Sequence, residues 1–134
     1  MSMRRFRVEK LIRDNLPNLM REKGIVVDER YMEDAECILR LKEKLIEEAR
    51  EAAESSCEQE LVEELADILE VIKALAYIRG IDIEQIEAKR VAKRKEKGGF
   101  DKKIYNRYVD IEEGNPSIDY YLNKQEQYPP MGEG

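Results

Sequence analysis

The chain has 134 residues, of which 40% are Asp, Glu, Lys or Arg and 7% aromatic, with no Trp, no His and a net charge of −6. That length holds one compact domain with a modest core and is too short for two sizeable ones, and the composition points to helices with solvated outer faces around Leu, Ile, Val and Ala. The negative charge argues against nucleic-acid binding by the chain as a whole, no window is apolar enough for a membrane span, and two cysteines without a signal peptide read as free thiols of a cytoplasmic protein.

Residues 1–13 alternate Arg4, Arg5, Arg7, Lys10 and Arg13 with Phe6, Val8, Leu11 and Ile12, a pattern of an extended segment lying across a helical bundle. Asp14 or Asn15 is placed to cap a short helix with Pro17 in its first turn and a stop at Gly24. Ile25-Val26-Val27 is β-like but too short to found a sheet. A long helix is predicted from near Tyr31–Asp34 to about Ser55, and a second from Glu58 to Arg79 with Ser56 as its N-cap and Gly80 as its end. Asp82 and Gln85 have capping-box spacing for a further helix, with Ile83, Ile86 and Val91 on one side and Gly98-Gly99 as its stop. The single domain is expected over residues 1–108. Residues 109–134, rich in Gly, Pro and Tyr, are expected to form a loosely structured tail.

The two long helices carry one phrase twice: Leu45-Ile46-Glu47-Glu48-Ala49-Arg50-Glu51, then Leu61-Val62-Glu63-Glu64-Leu65-Ala66-Asp67. On the first helix Glu48 falls inside the apolar arc of Ile38, Leu41, Leu45, Ile46, Ala49, Ala52 and Ala53, with Glu51 at its edge. On the second, Glu64 and Asp67 lie among Leu61, Val62, Leu65, Ile68, Leu69 and Ile72, and a helix this apolar is expected to be largely buried. Four inward carboxylates require basic partners, shared protons or a divalent cation. Between Glu36 and Glu70 there are 12 acidic residues against 4 basic ones, so bases in the segment do not suffice and a cation is favoured. Acids at i and i+3 on two antiparallel helices surround one space with oxygen donors, which suits Mg²⁺ and also Mn²⁺, whereas zinc would find few ligands. Residues 89–107 reverse the balance, with 9 bases and 2 acids, and are suited either to solvate a helix face or to form a phosphate-binding wall beside the metal.

Glu48-x-x-Glu51, a twelve-residue spacer and Glu64-x-x-Asp67 resemble the signature of the all-α nucleoside triphosphate pyrophosphatase superfamily, which includes MazG, dimeric dUTPases, dCTP pyrophosphatase and phosphoribosyl-ATP pyrophosphohydrolase. Lys10-Leu11-Ile12-Arg13-Asp14-Asn15-Leu16-Pro17 is similar to the Lys-Leu-Val-Arg-Asp-Lys-Ile-Pro opening of the phosphoribosyl-ATP pyrophosphohydrolase-like branch, and Lys97-Gly98-Gly99-Phe100 to the block that closes its last core helix. Val71 departs from the pattern, since MazG-type members have Asn there, so their nucleotide contacts do not transfer and base selectivity stays open.

The resemblance implies an all-α, MazG-like helical bundle whose core is completed by oligomerisation, as a homodimer or homotetramer. It implies Mg²⁺-dependent hydrolysis of a nucleotide between its α and β phosphates, yielding a monophosphate and pyrophosphate. The metal ligands would be Glu48, Glu51, Glu64 and Asp67. Glu47, next to the motif, is the candidate to orient or deprotonate the attacking water, and Lys93, Arg94 and Lys97, joined by Lys10 and Arg13, are the candidates for phosphate. A rival reading is a non-catalytic nucleotide-binding or helical assembly module. Nucleic-acid binding through residues 89–107 is disfavoured by the acidic centre and the lack of an aromatic platform.

Overall fold

Glu-, Leu- and Ala-rich runs free of Gly and Pro produce two helices of 21 residues each in the computed structural model, which describes residues 2–132. The chain is all-helical, with no strand among the described residues: α1 (Leu16–Glu22), α2 (Asp34–Glu54), α3 (Glu58–Ile78), α4 (Ile83–Lys97) and α5 (Ile118–Leu122). Among the described residues no helix is long and apolar enough to cross a membrane. The chain divides into two compact units, residues 1–96 and 97–134.

In the first unit, α2 and α3 are the only helices that contact one another among the described residues. Only Ser55, Ser56 and Cys57 separate them, so they run antiparallel as a helical hairpin. Cys57, rather than the expected Ser56, is the N-cap of α3, and its side chain makes no capping bond. Instead, Glu60 in the first turn reaches back and accepts bonds from the backbone N–H and hydroxyl of Ser56 at 3.0 and 3.1 Å. Asn15 precedes α1 in helical conformation, also without a side-chain cap.

The far end of α3 closes as its sequence predicts. Gly80 takes φ +68°, donates to the carbonyl of Tyr77, and lets Ile81 N–H reach the carbonyl of Ala76 at 2.8 Å, a Schellman arrangement that a residue with a Cβ would strain. The capping box of α4 forms too, although loosely, with the Gln85 side chain accepting from Asp82 N–H at 3.4 Å.

Burial departs from expectation. Leu41 on α2 and Val71 and Ala76 on α3 are the buried apolar residues of the two long helices, while Val62 is 61% exposed and Leu69 59%. Leu61, Leu65 and Leu69 recur at i, i+4 and i+8 with Val62 beside them, turned by roughly 100° from the side of α3 that holds Glu64, Ile68 and Val71. One neighbouring helix can cover only one side of α3, so within a single chain this second stripe stays open. On α4, Ile83, Ile86 and Val91 are likewise exposed and no residue is buried.

In the second unit, α5 carries Tyr120 and Tyr121, which form a cluster with Tyr128: ring centroids are 5.1 to 5.9 Å apart, and Lys124 Nζ lies 4.7 Å above the Tyr120 ring.

Candidate metal centre

The helical repeat puts Glu48 and Glu51 on one side of α2, and the same spacing puts Glu64 and Asp67 on one side of α3. Because the helices are antiparallel neighbours, Glu48 and Glu51 of α2 and Glu64 of α3 face a common space. One carboxylate oxygen from each of Glu48, Glu51 and Glu64 lies within 4.8 Å of the others. Ligands at about 2.1 Å from a six-coordinate Mg²⁺ stand about 3 Å apart when adjacent and about 4 Å when opposite, so the cluster has nearly the dimensions of one coordination sphere.

Glu48 is buried and Glu64 half-buried, whereas Glu51 is exposed at the edge of the cluster. Glu48 is only 6% exposed, and its Oε2 and that of Glu64 are sealed from water without a hydrogen-bond donor. Burial, above all, raises the Glu48 carboxyl above its usual range, with Glu51 and Asp67 adding repulsion and the interaction with Glu64 working against it. Burial and then the neighbouring Glu51 and Glu48 push Glu64 up to about 7. An acceptor pair with no donor and a depressed tendency to ionise is what a hard cation would relieve. The residues present therefore fit a divalent cation bound through oxygen.

Around this cluster run counter-ions from elsewhere in the chain. Residues 2–13 form neither helix nor strand, and Lys10 reaches α2, donating from Nζ to Glu47 Oε1 at 2.7 Å. Arg13 reaches α3, donating from Nη2 to Asp67 Oδ1 at 2.6 Å. Lys10, and after it Lys44, hold the Glu47 carboxyl below its usual range. Lys44 Nζ also stands 3.7 Å from both Glu47 Oε2 and Glu48 Oε1, with a side chain only 23% exposed. Sequence reasoning overlooked this lysine as a site residue, counting it only among the bases. The signal was its spacing, three and four residues before the paired glutamates.

Of the expected metal ligands, then, Glu48, Glu51 and Glu64 are brought together, while Asp67 is engaged by Arg13. Of the expected phosphate ligands, Lys10 and Arg13 stand beside the acids. Lys93 and Arg94 lie on α4, which does not contact α2 or α3. Lys93 lines a shallow open recess with Ile81, Gln85, Ile86, Lys89 and Arg90. Lys97 falls in the second unit.

Residues 9–95 match the family profile of phosphoribosyl-ATP pyrophosphohydrolase. The chain belongs to the phosphoribosyl-ATP pyrophosphohydrolase family. The matched span contains the segment with Lys10 and Arg13, both acidic pairs and most of α4, and stops short of the Lys97–Phe100 block. This family is one of nucleotide pyrophosphohydrolases with the MazG-like helical fold, in keeping with the all-helical chain. No curated protein and no solved structure matches the chain.

Proposed function

We propose that the chain is a Mg²⁺-dependent nucleotide pyrophosphohydrolase that cleaves a nucleoside triphosphate or related nucleotide, phosphoribosyl-ATP included, between the α and β phosphates. The products are a monophosphate and pyrophosphate. The observation that carries this reading is the pair of buried, donorless oxygens of Glu48 and Glu64 facing the same space as Glu51, in a chain of this family.

Glu48, Glu51 and Glu64 hold the cation, and Asp67, one helical turn beyond Glu64, is the fourth donor. The all-oxygen set in a chain without His favours Mg²⁺, with Mn²⁺ as a substitute. Bound there, the ion supplies charge relief on the phosphate oxygens and an acidified water. Glu47, kept ionised by Lys10 and Lys44, orients that water more readily than it takes its proton, because a carboxyl held low is a weak base. Lys10 and Arg13, which stand beside the acids, are the cations offered to the phosphates, with Lys93 and Arg94 of α4 as further candidates.

We also propose that a second copy covers the open stripe of Leu61, Val62, Leu65 and Leu69, giving a homodimer or homotetramer. The activity belongs to residues 1–108 and serves to clear the nucleotide pool. The free thiols Cys37 and Cys57 suit a reducing cytoplasm.

The test is pyrophosphate release with Mg²⁺ over a panel of ordinary and modified NTPs and phosphoribosyl-ATP. At least one should be cleaved at the α–β bond, and EDTA should abolish release. Binding without release from any of them would replace the enzyme with a non-catalytic nucleotide-binding module.

A further inference from the structure

Asp67 is set apart from the other acids of the doubled phrase. Oxygens of Glu48, Glu51 and Glu64 share one space, whereas Asp67 accepts a bond of 2.6 Å from Arg13. Lys10, three residues earlier, makes the matching contact with Glu47 at 2.7 Å. The N-terminal segment thus neutralises the rim of the acidic cluster with two long side chains and leaves the two buried oxygens at its floor without a donor. The partition follows from reach, because both bases are exposed and both donorless oxygens are sealed from water.

We propose that Arg13 is the residue that couples cation binding to anion binding, exchanging the Asp67 carboxylate for a phosphate oxygen of the ligand when a divalent cation enters the acidic cluster. The inference rests on the reading of that cluster as a metal site.

Three physical points support the exchange. A guanidinium and a dication drawn to one carboxylate repel each other and compete for its charge, so occupancy of the cluster weakens the Arg13–Asp67 pair. The pair is easily broken: its side chains are 57% and 37% exposed, and an exposed pair of this kind is worth a factor of about two to five in an equilibrium. The guanidinium fork also fits phosphate as well as it fits carboxylate. Arg13 needs no backbone movement for this. Its carbonyl is tied to Leu16 N–H at 3.0 Å at the start of α1, and the long side chain swings from that fixed base.

Calorimetric titrations of Mg²⁺, and of inorganic pyrophosphate at saturating Mg²⁺, into the full chain, Arg13→Gln and Arg13→Lys test the coupling. Arg13→Gln should bind Mg²⁺ about two- to fivefold more tightly than the native chain in the absence of anion, since its competitor is gone. The same variant should bind pyrophosphate about tenfold or more weakly. Arg13→Lys, which keeps the charge but not the fork, should stay near native for Mg²⁺ and fall between the two for pyrophosphate. A purely structural role for Arg13 would instead weaken both ligands. Equal Mg²⁺ affinity in the native chain and Arg13→Gln, or unchanged pyrophosphate affinity, would overturn the coupling and leave the metal site standing. Absence of Mg²⁺ uptake by the native chain would remove both.

Discussion

A carboxylate oxygen of Glu48 on α2 and one of Glu64 on α3 lie within 4.8 Å of each other, and each residue keeps its Oε2 sealed from water with no donor. Two like charges across a helix pair oppose the packing that brings them together. The hairpin therefore carries a local destabilisation whose release depends on protonation or on a cation.

Replacing Glu64 with Gln removes that repulsion and one anionic ligand at once, leaving only a neutral amide oxygen in its place. Metal-free Glu64→Gln should melt at or above the native temperature with unchanged helical circular dichroism. The rise in melting temperature that Mg²⁺ gives the native chain should be absent from it, as should pyrophosphate release. A variant still stabilised by Mg²⁺ and still active would exclude Glu64 as a ligand.

The raised carboxyl of Glu64 sets the direction of the pH response. In the folded chain it holds its proton up to about 7, while in the unfolded chain it loses it near its ordinary 4.5. The folded state therefore binds more protons in this window, so metal-free stability falls as pH rises from about 4.5 through 7. Glu48, also raised, acts in the same direction. The lowered carboxyls of Glu36, Glu47, Glu60, Asp82 and Glu87 act below the window and leave it to these two. Melting curves in EDTA across pH 5 to 8 read this directly, and Mg²⁺ affinity should rise over the same interval as the proton is surrendered. Metal-free stability that climbs between pH 5 and 7 would contradict the buried acidic pair.

Glu47 separates positioning from metal binding. Its contacts are with Lys10 and Lys44, and it is not among the three acids whose oxygens converge. Glu47→Gln should lower kcat by about a hundredfold or more, with Mg²⁺ affinity within about twofold of native. A matching loss in Mg²⁺ affinity would make Glu47 a ligand instead of the water-orienting group.

The open stripe of α3 makes a prediction about assembly. Leu65 and Leu69 are 47% and 59% exposed in the single chain, and changing both to Asp places charge where a second copy would pack. Light scattering should give the native protein a mass at least twice the 15.8 kDa of one chain and the double variant a mass near that value. A native protein that runs as a single chain would remove the proposed interface.

Much of the hairpin was legible because its determinants are local. Both long helices begin and end within a residue or so of expectation, since propensity, Gly80 and the Asp82–Gln85 box act over a few residues. The phase of Glu48 within the α2 arc followed from the helical repeat, and Glu48 is buried. The Ser56 cap failed for an equally local reason: Glu60 engages Ser56, and α3 starts from Cys57. The burial expected for α3 failed because an apolar stripe specifies that a surface seeks cover and does not specify what covers it.

The sequence by itself determined where helices form and which acids share a helical face, because the repeat of about 3.6 residues per turn converts spacing into direction. Only the tertiary structure decided which acids converge on one space and which are matched by a base from the N-terminal segment. Lys10 finds Glu47 across 37 residues, and Arg13 finds Asp67 across 54. Those pairings depend on where an irregular segment crosses two packed helices, and no local rule of spacing or propensity encodes that path.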